Sequence, residues 1–180
     1  VPTSIPSTRV APEPADLERA AALLAGARSP MIIMGDGVTA SGAQAELAHV
    51  AQLLGAEVWG ADSSEVNMAG NHPQFRGLLG HMFGPHSKGI VDKADAVLIV
   101  GTYVFPEVFP VLDTAFAPGA KIVHVDLNAY EIAKNFPVDL GLVADPKLTL
   151  KQLAGMVEQR QTSGQKDEAR ARVQRLTELK

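Results

Sequence analysis

Arg28-Ser-Pro-Met-Ile-Ile-Met-Gly-Asp-Gly37 decides the fold. Its centre, Met31-Ile-Ile-Met34, is wholly apolar, as a strand buried on both faces should be. Gly35 and Gly37 end that strand in a tight turn. Beyond the turn, Ser41 is suited to cap a helix whose Leu47, Val50, Ala51 and Leu54 recur at inward-facing spacing. The unit is strand, glycine turn, helix. Working outward, Glu57-Val-Trp59, Ala96-Val-Leu-Ile-Val100, Ile122-Val-His-Val125 and Leu140-Gly-Leu-Val143 predict further strands. On the amino-terminal side, Pro14-Ala-Asp-Leu-Glu-Arg-Ala-Ala-Ala-Leu-Leu-Ala25 predicts a helix. Asp16 stands in its first turn, Leu17, Ala20 and Leu24 on one stripe, and Gly26 after its end. Apolar strands separated by helical stretches predict a doubly wound α/β fold, Rossmann-like, with a mostly parallel sheet of about five or six strands.

Composition narrows the function classes. At 180 residues and 46% hydrophobic content the chain can bury one full core, so one domain is expected. A formal net charge of −4 argues against a nucleic-acid partner, which would need clustered Lys and Arg to neutralise phosphates. No stretch approaches the roughly 20 apolar residues of a membrane span, and the proline-rich start has no apolar signal-peptide core. The absence of cysteine excludes disulfides and thiolate sites and fits a reducing compartment, so the cytoplasm is the expected location. Residues 1–13 read as an extended linker and residues 14–158 as the domain. Residues 159–180 read as a polar helical linker, with only Val173, Leu176 and Leu179 as an apolar stripe.

Further segments share the spacing of known proteins: Gly77-Leu-Leu-Gly80, Ala94-Asp-Ala-Val-Leu-Ile-Val-Gly101, Ala120-Lys-Ile-Val-His-Val-Asp126 and Ala144-Asp-Pro146. With the opening stretch, they resemble the central domain of the thiamine-diphosphate (ThDP) decarboxylase and acetolactate synthase superfamily. Ala56-Glu-Val-Trp-Gly-Ala-Asp-Ser-Ser64, Asn71-His-Pro-Gln-Phe-Arg-Gly-Leu78 and the Val1-Pro-Thr-Ser4 start look most like its benzoylformate decarboxylase branch. The resemblance implies a parent enzyme that uses ThDP and Mg²⁺ to cleave or form a carbon–carbon bond beside the carbonyl of a 2-oxo acid. It also implies a pyrimidine-binding domain before this one, a pyrophosphate-binding domain after it, and a homotetramer. The central domain of that superfamily usually carries no catalytic residue, so its expected role is structural, with no cofactor of its own.

Three site hypotheses bear on that expectation. Gly35-Asp-Gly37 copies the first half of the motif with which ThDP enzymes hold Mg²⁺ and diphosphate, but an oxygen ligand should recur at the end of the next strand. There the sequence offers Asp62, and beyond it a single Asn67. The favoured reading is a coincidental turn. Second, Gly35, Gly37, Gly101 and Asp126 are the candidate cofactor-binding residues of a free-standing domain for NAD, FAD or ADP, the functional alternative. Asp126 would take a ribose hydroxyl, although it equally suits the start of the turn before Tyr130. FAD is disfavoured because Thr102-Tyr-Val-Phe-Pro-Glu-Val-Phe-Pro110 lacks the arginines of flavin-binding relatives, and Asn128 replaces an aspartate. Third, His72, His81 and His86 share a glycine-rich stretch, read as a packed loop rather than a metal site, and His124 reads as a hydrogen-bonded core residue. Leu79, Met82, Phe105 and Phe109 are expected to be exposed and to mark surfaces covered in the parent enzyme.

Overall fold

The computed structural model describes residue 4 and residues 7–61, 63–80, 84–105 and 114–180. Every residue of Pro30–Met34 (β1) and of Ala96–Val100 (β4) is buried, and the two strands pair in parallel at the centre of the sheet. Continuous apolar runs belong there, because a central strand meets helices or loops on both faces. Around them, Glu57–Gly60 (β2), Phe75–Leu78 (β3), Lys121–Asp126 (β5) and Leu140–Val143 (β6) complete a six-stranded sheet, all parallel, in the order β3-β2-β1-β4-β5-β6.

Side chains alternate between two cores, as the period of a strand requires. Ile32, Met34, Leu98, Val100, Val123 and Val125 face one way. Against them pack Pro14–Leu24 (α1), Gln44–Leu54 (α3) and Pro146–Arg160 (α5), after the one-turn helix Gly37–Ser41 (α2). Met31, Ile33, Val97, Ile99 and Ile122 face the other way, beneath Gly84–Val91 (α4) and the residues around Val104 and Phe116. Asp145 accepts from Leu148 N at 2.9 Å and so caps α5 ahead of Pro146, which explains the Ala144-Asp-Pro146 signature. Its backbone amide also donates to Val10 O at 2.8 Å, tying the extended amino-terminal stretch to the domain.

Several elements differ from the expectation. Ser41 does not open the second helix: its hydroxyl donates back to Gly37 O at 2.9 Å, Gly42 turns left-handed (φ 68°), and α3 begins only at Gln44. The stretch expected to be a loop contains edge strand β3 and helix α4. Gly84, Pro85 and Gly89 give α4 a poor intrinsic propensity; burial of Ser87, Ile90 and Val91 on the sheet overrides it. Leu79 (6% exposed) and Phe105 (2%) are buried within the monomer, which corrects the expected exposure. Phe105 packs tilted against Phe116 (5.9 Å) and edge-on to Phe136 (5.8 Å), so it closes a local core instead of an interface. Met82 and Phe109 lie outside the described residues.

The last helix, Ser163–Glu178 (α6), opens with a reciprocal capping box between Thr162 and Gln165 and docks on α3. Ala169 and Leu176, not the Val173–Leu176–Leu179 stripe, form its buried seam, and Leu179 is 69% exposed. Backbone chemistry sets the register. Gln161 Nε2 donates to Leu53 O at 3.0 Å and Arg172 Nη2 to Leu54 O at 2.8 Å, satisfying carbonyls that the end of α3 leaves open. Between them, left-handed Gly55 (φ 63°) lies so close that a Cβ there would sit 2.5 Å from Ala169 O. Gly55→Ala is therefore expected to destabilise the fold by about 1–2 kcal/mol. It should also raise hydrogen-exchange rates selectively in α6; unchanged exchange there would show that the contact does not hold the helix.

Candidate functional site

In the observed strand order the chain reverses direction between β1 and β4, and a ligand crevice in such folds lies at the carboxyl ends of those two strands. Gly35, Asp36 and Gly37 follow β1; Gly101 and Thr102 follow β4. The structure brings Gly35, Gly37 and Gly101 together, but against one another. Gly35 N donates to Val100 O (3.1 Å) and Gly37 N to Gly101 O (2.9 Å), while Gly101 N reaches across to Val125 O (3.0 Å). A Cβ on Gly37 would lie 2.6 Å from Gly101 Cα, and one on Gly101, whose φ is 67°, 2.7 Å from Val38 N. Glycine is required here so that two backbones can touch.

An anion at a helix start needs free amides. At α2 they are spent internally: Gly37 N on Gly101 O, Val38 N on Gly35 O, Thr39 N on Asn67 Oδ1 and Ala40 N on Asp36 O.

Asp36 anchors the other side of the turn. Its carboxylate accepts from Ser64 N and Glu65 N at 3.0 Å, from Asn67 Nδ2 at 3.0 Å and from Ser63 Oγ at 3.3 Å. Burial opposes its ionisation, but the hydrogen bonds from Asn67 and the Glu65 and Ser64 amides outweigh it and lower its pKa from 3.8 to about 2. Asn67 is 1% exposed; its Oδ1 takes the Thr39 amide and hydroxyl while its Nδ2 serves Asp36. Asp36, from the half-motif Gly35-Asp-Gly37, and the lone Asn67 are thus already joined to one another. All four donors converge on Asp36 Oδ1, the Ser64 amide also reaches Oδ2, and Thr39 takes Asn67 Oδ1, so the pair is engaged within the domain and is not arrayed as ligands of a divalent ion. Among the described residues no group of three or more His, Asp or Glu side chains is placed to hold a metal. Asp62 lies outside the described residues.

Asp126 stands apart from the glycine contact, since β4 separates β5 from β1. Its carboxylate accepts from Asn128 N at 2.7 Å, and Asn128 Oδ1 accepts from Tyr130 N at 3.1 Å, two successive side-chain turns of the kind Asp and Asn favour. Burial raises its pKa, with the Asn128 amide opposing. His124, 1% exposed, lies within 2.8 Å of Thr102 O through Nε2, while Ala133 N donates to its Nδ1 at 3.4 Å. That pattern puts the proton on Nε2, and burial lowers the ring's pKa and keeps it neutral. It is a core strut between β5 and the β4 turn. His72 is half-buried and accepts from Gln74 N at 3.3 Å, His86 is exposed, and His81 lies outside the described residues.

A polar residue that sequence reading passed over holds the opposite, amino end of the edge strands. Gln74 is buried and donates through Nε2 to Ala51 O (2.6 Å) and Ala56 O (2.8 Å), fixing the end of α3 to the approach of β3. Nothing in a polar loop sequence distinguishes such residues from solvated ones.

A family model described as thiamine pyrophosphate enzyme, central domain, matches residues 17–153. The chain belongs to that family. This central domain is 34% identical over 147 residues to the sulfoacetaldehyde acetyltransferase of Rhodobacter capsulatus, covering 81% of this chain and 25% of that one. To a probable acetolactate synthase large subunit of Methanococcus aeolicus it is 31% identical over 140 residues, covering 78% and 23%. Among solved structures, a thiamine diphosphate-dependent 4-hydroxybenzoylformate decarboxylase from Rhodococcus jostii superposes with a TM-score of 0.74 at 28% identity, covering 86% of this chain and 29% of that one. The central domain thus spans about a quarter of the length of these curated relatives. Among the described residues, no helix is long and apolar enough to cross a membrane.

Proposed function

We propose that this domain is the non-catalytic centre of a ThDP-dependent 2-oxo acid decarboxylase or carboligase, and that its role is to hold the pyrimidine- and pyrophosphate-binding domains on either side. The single observation that carries this reading is the closed glycine turn: the amides that start α2 and the Asp36 carboxylate all have partners within the domain. A benzoylformate decarboxylase-like parent is supported by the Ala56 to Ser64 and Asn71 to Leu78 segments and by the absence of arginine from Thr102 to Pro110. The flanking domains would supply the ThDP and Mg²⁺ sites, in a cytoplasmic homo-oligomer. Residues 1–13 would link from one domain, and residues 159–180 would lead to the next.

The chain alone, supplied with ThDP and Mg²⁺, is expected to release no carbon dioxide from benzoylformate or pyruvate above a buffer control; turnover would overturn the reading. Calorimetric titration with FAD, ADP and NAD separates it from a nucleotide-binding domain using Gly35, Gly37, Gly101 and Asp126. One ribose hydrogen bond at Asp126 contributes about 0.5–1.5 kcal/mol, too little to offset the cost of association. No binding at micromolar concentrations is the expected result, and a micromolar dissociation constant would favour the nucleotide-binding reading.

A further inference from the structure

At the opposite end of the sheet, where β1 and β2 begin and β4 is about to, α6 roofs a cavity of about 290 Å³. Four cations line it: Arg28 and Lys93 from the turns before β1 and β4, Arg172 and Arg175 from successive turns of α6. The wall holds one carboxylate, Glu57, which already accepts from Trp59 Nε1 at 3.1 Å. Asp95 adjoins it but is engaged by the amides of Arg28 and Ser29, each at 2.9 Å. Among the described residues the side chains of Arg28, Lys93 and Arg175 enter no ion pair, and Arg172 has only a long one, 4.0 Å to Glu168.

Such crowding has a cost that Glu168 and Asp95 relieve only in part. Arg172 is largely buried by its cap on α3, its Nε has no hydrogen-bond partner, and Arg175 presses a like charge on it from one turn away. Glu57 and Asp95 are already engaged by Trp59 and by the Arg28 and Ser29 amides, and Glu168 reaches only Arg172. Among the described residues, Arg28, Lys93 and Arg175 thus line the cavity without a carboxylate partner, which a dianion would supply. The rest of the wall is apolar: Pro30 and Met31 at the start of β1, Ala94, and Leu176 from α6. Guanidinium groups suit phosphate and carboxylate oxygens because their N–H donors are arrayed in a planar fork.

We propose that this cavity binds a small organic dianion, a phosphate monoester or a dicarboxylate, with its charge among Arg28, Lys93 and Arg175 and its apolar body against Met31, Ala94 and Leu176. The site lies at the strand amino ends, across the sheet from the glycine turn, and draws on α6, which joins the domain to whatever follows it. Its occupant would cross-link α6 to the turns before β1 and β4.

Phenyl phosphate and phenylsuccinate serve as probes, inorganic phosphate as the head group alone, in NMR titrations of the 180-residue chain. Saturable shifts at Ala94, Arg175 and Leu176 are expected with one or both organic dianions, and inorganic phosphate should bind about tenfold more weakly. Arg175→Gln and Arg28→Gln, both exposed positions, should each weaken binding about tenfold, whereas Lys151→Gln on the far face of α5 should not. Raising the salt from about 50 to about 500 mM should weaken it as well. Absence of saturable shifts with both organic probes at millimolar concentration overturns the site. Affinity undiminished in both arginine variants overturns its location, and inorganic phosphate binding as tightly as phenyl phosphate overturns the role of the apolar wall.

Discussion

Gly37→Ala is expected to destabilise the domain by about 3–4 kcal/mol, a large effect for the addition of a single methyl group. The added Cβ would sit 2.6 Å from Gly101 Cα and 3.0 Å from Gly101 O, and both are backbone atoms of the turn that follows β4. No rotamer change relieves a clash with backbone, so β1 and β4 must part at their carboxyl ends. That separation would also stretch the Gly37 N to Gly101 O bond of 2.9 Å and the Gly35 N to Val100 O bond of 3.1 Å. The reciprocal change, Gly101→Ala, meets Val38 N at 2.7 Å from a left-handed φ of 67° and should cost a similar amount. Urea denaturation followed by circular dichroism checks both. A loss under about 1 kcal/mol for either would mean that the strand ends are looser than the close approach requires.

Asp36→Ala is expected to cost about 1–2 kcal/mol, because it leaves the Ser64 and Glu65 amides without their acceptor, whereas Asn67 Nδ2 keeps Ser63 Oγ and Glu65 O. The wild-type protein should report the same interaction through pH. With a folded-state pKa of about 2 against an ordinary 3.8, the carboxylate binds its proton less readily when folded. Its contribution is therefore complete above about pH 4 and is lost as the pH falls toward 2. Because Asp36 is partly open to solvent, screening discounts that contribution to about 1 kcal/mol. Asp36→Ala should flatten the stability profile over this acid range and leave it parallel to wild type above pH 5. If the two profiles keep a constant separation down to pH 2, the hydrogen-bonded carboxylate is not the source of the difference.

Some elements of the fold are written in the sequence and others are not. Met31 to Met34 and Ala96 to Val100 announced central parallel strands because a segment buried on both faces must be apolar at every position, and the structure places them side by side. Helix α1 and the apolar faces of α3 were equally legible, since burial against a sheet imposes a stripe of period 3.6. Strand β3 and helix α4 were not. Phe75-Arg-Gly-Leu78 is only half-buried at an edge, and α4 draws its order from contacts with the sheet, so neither leaves a periodic trace of its own.

The candidate site divides along the same line. The sequence by itself determined the family resemblance, the order of apolar strands, and the presence of glycines where strands end, because these depend on patterns within a dozen residues. Only the tertiary structure decided what the glycines do. Gly37 and Gly101 are 64 positions apart in the chain, and which backbone comes within contact of which depends on sheet order. Asp36 and Asn67 show it most plainly: in sequence one belongs to half of a metal motif and the other stands alone beyond the next strand, whereas in space Asn67 donates to Asp36. Likewise the polar tail became a docked helix because open carbonyls at the end of α3 met Gln161 and Arg172, a pairing of backbone with side chain that no hydrophobic pattern encodes.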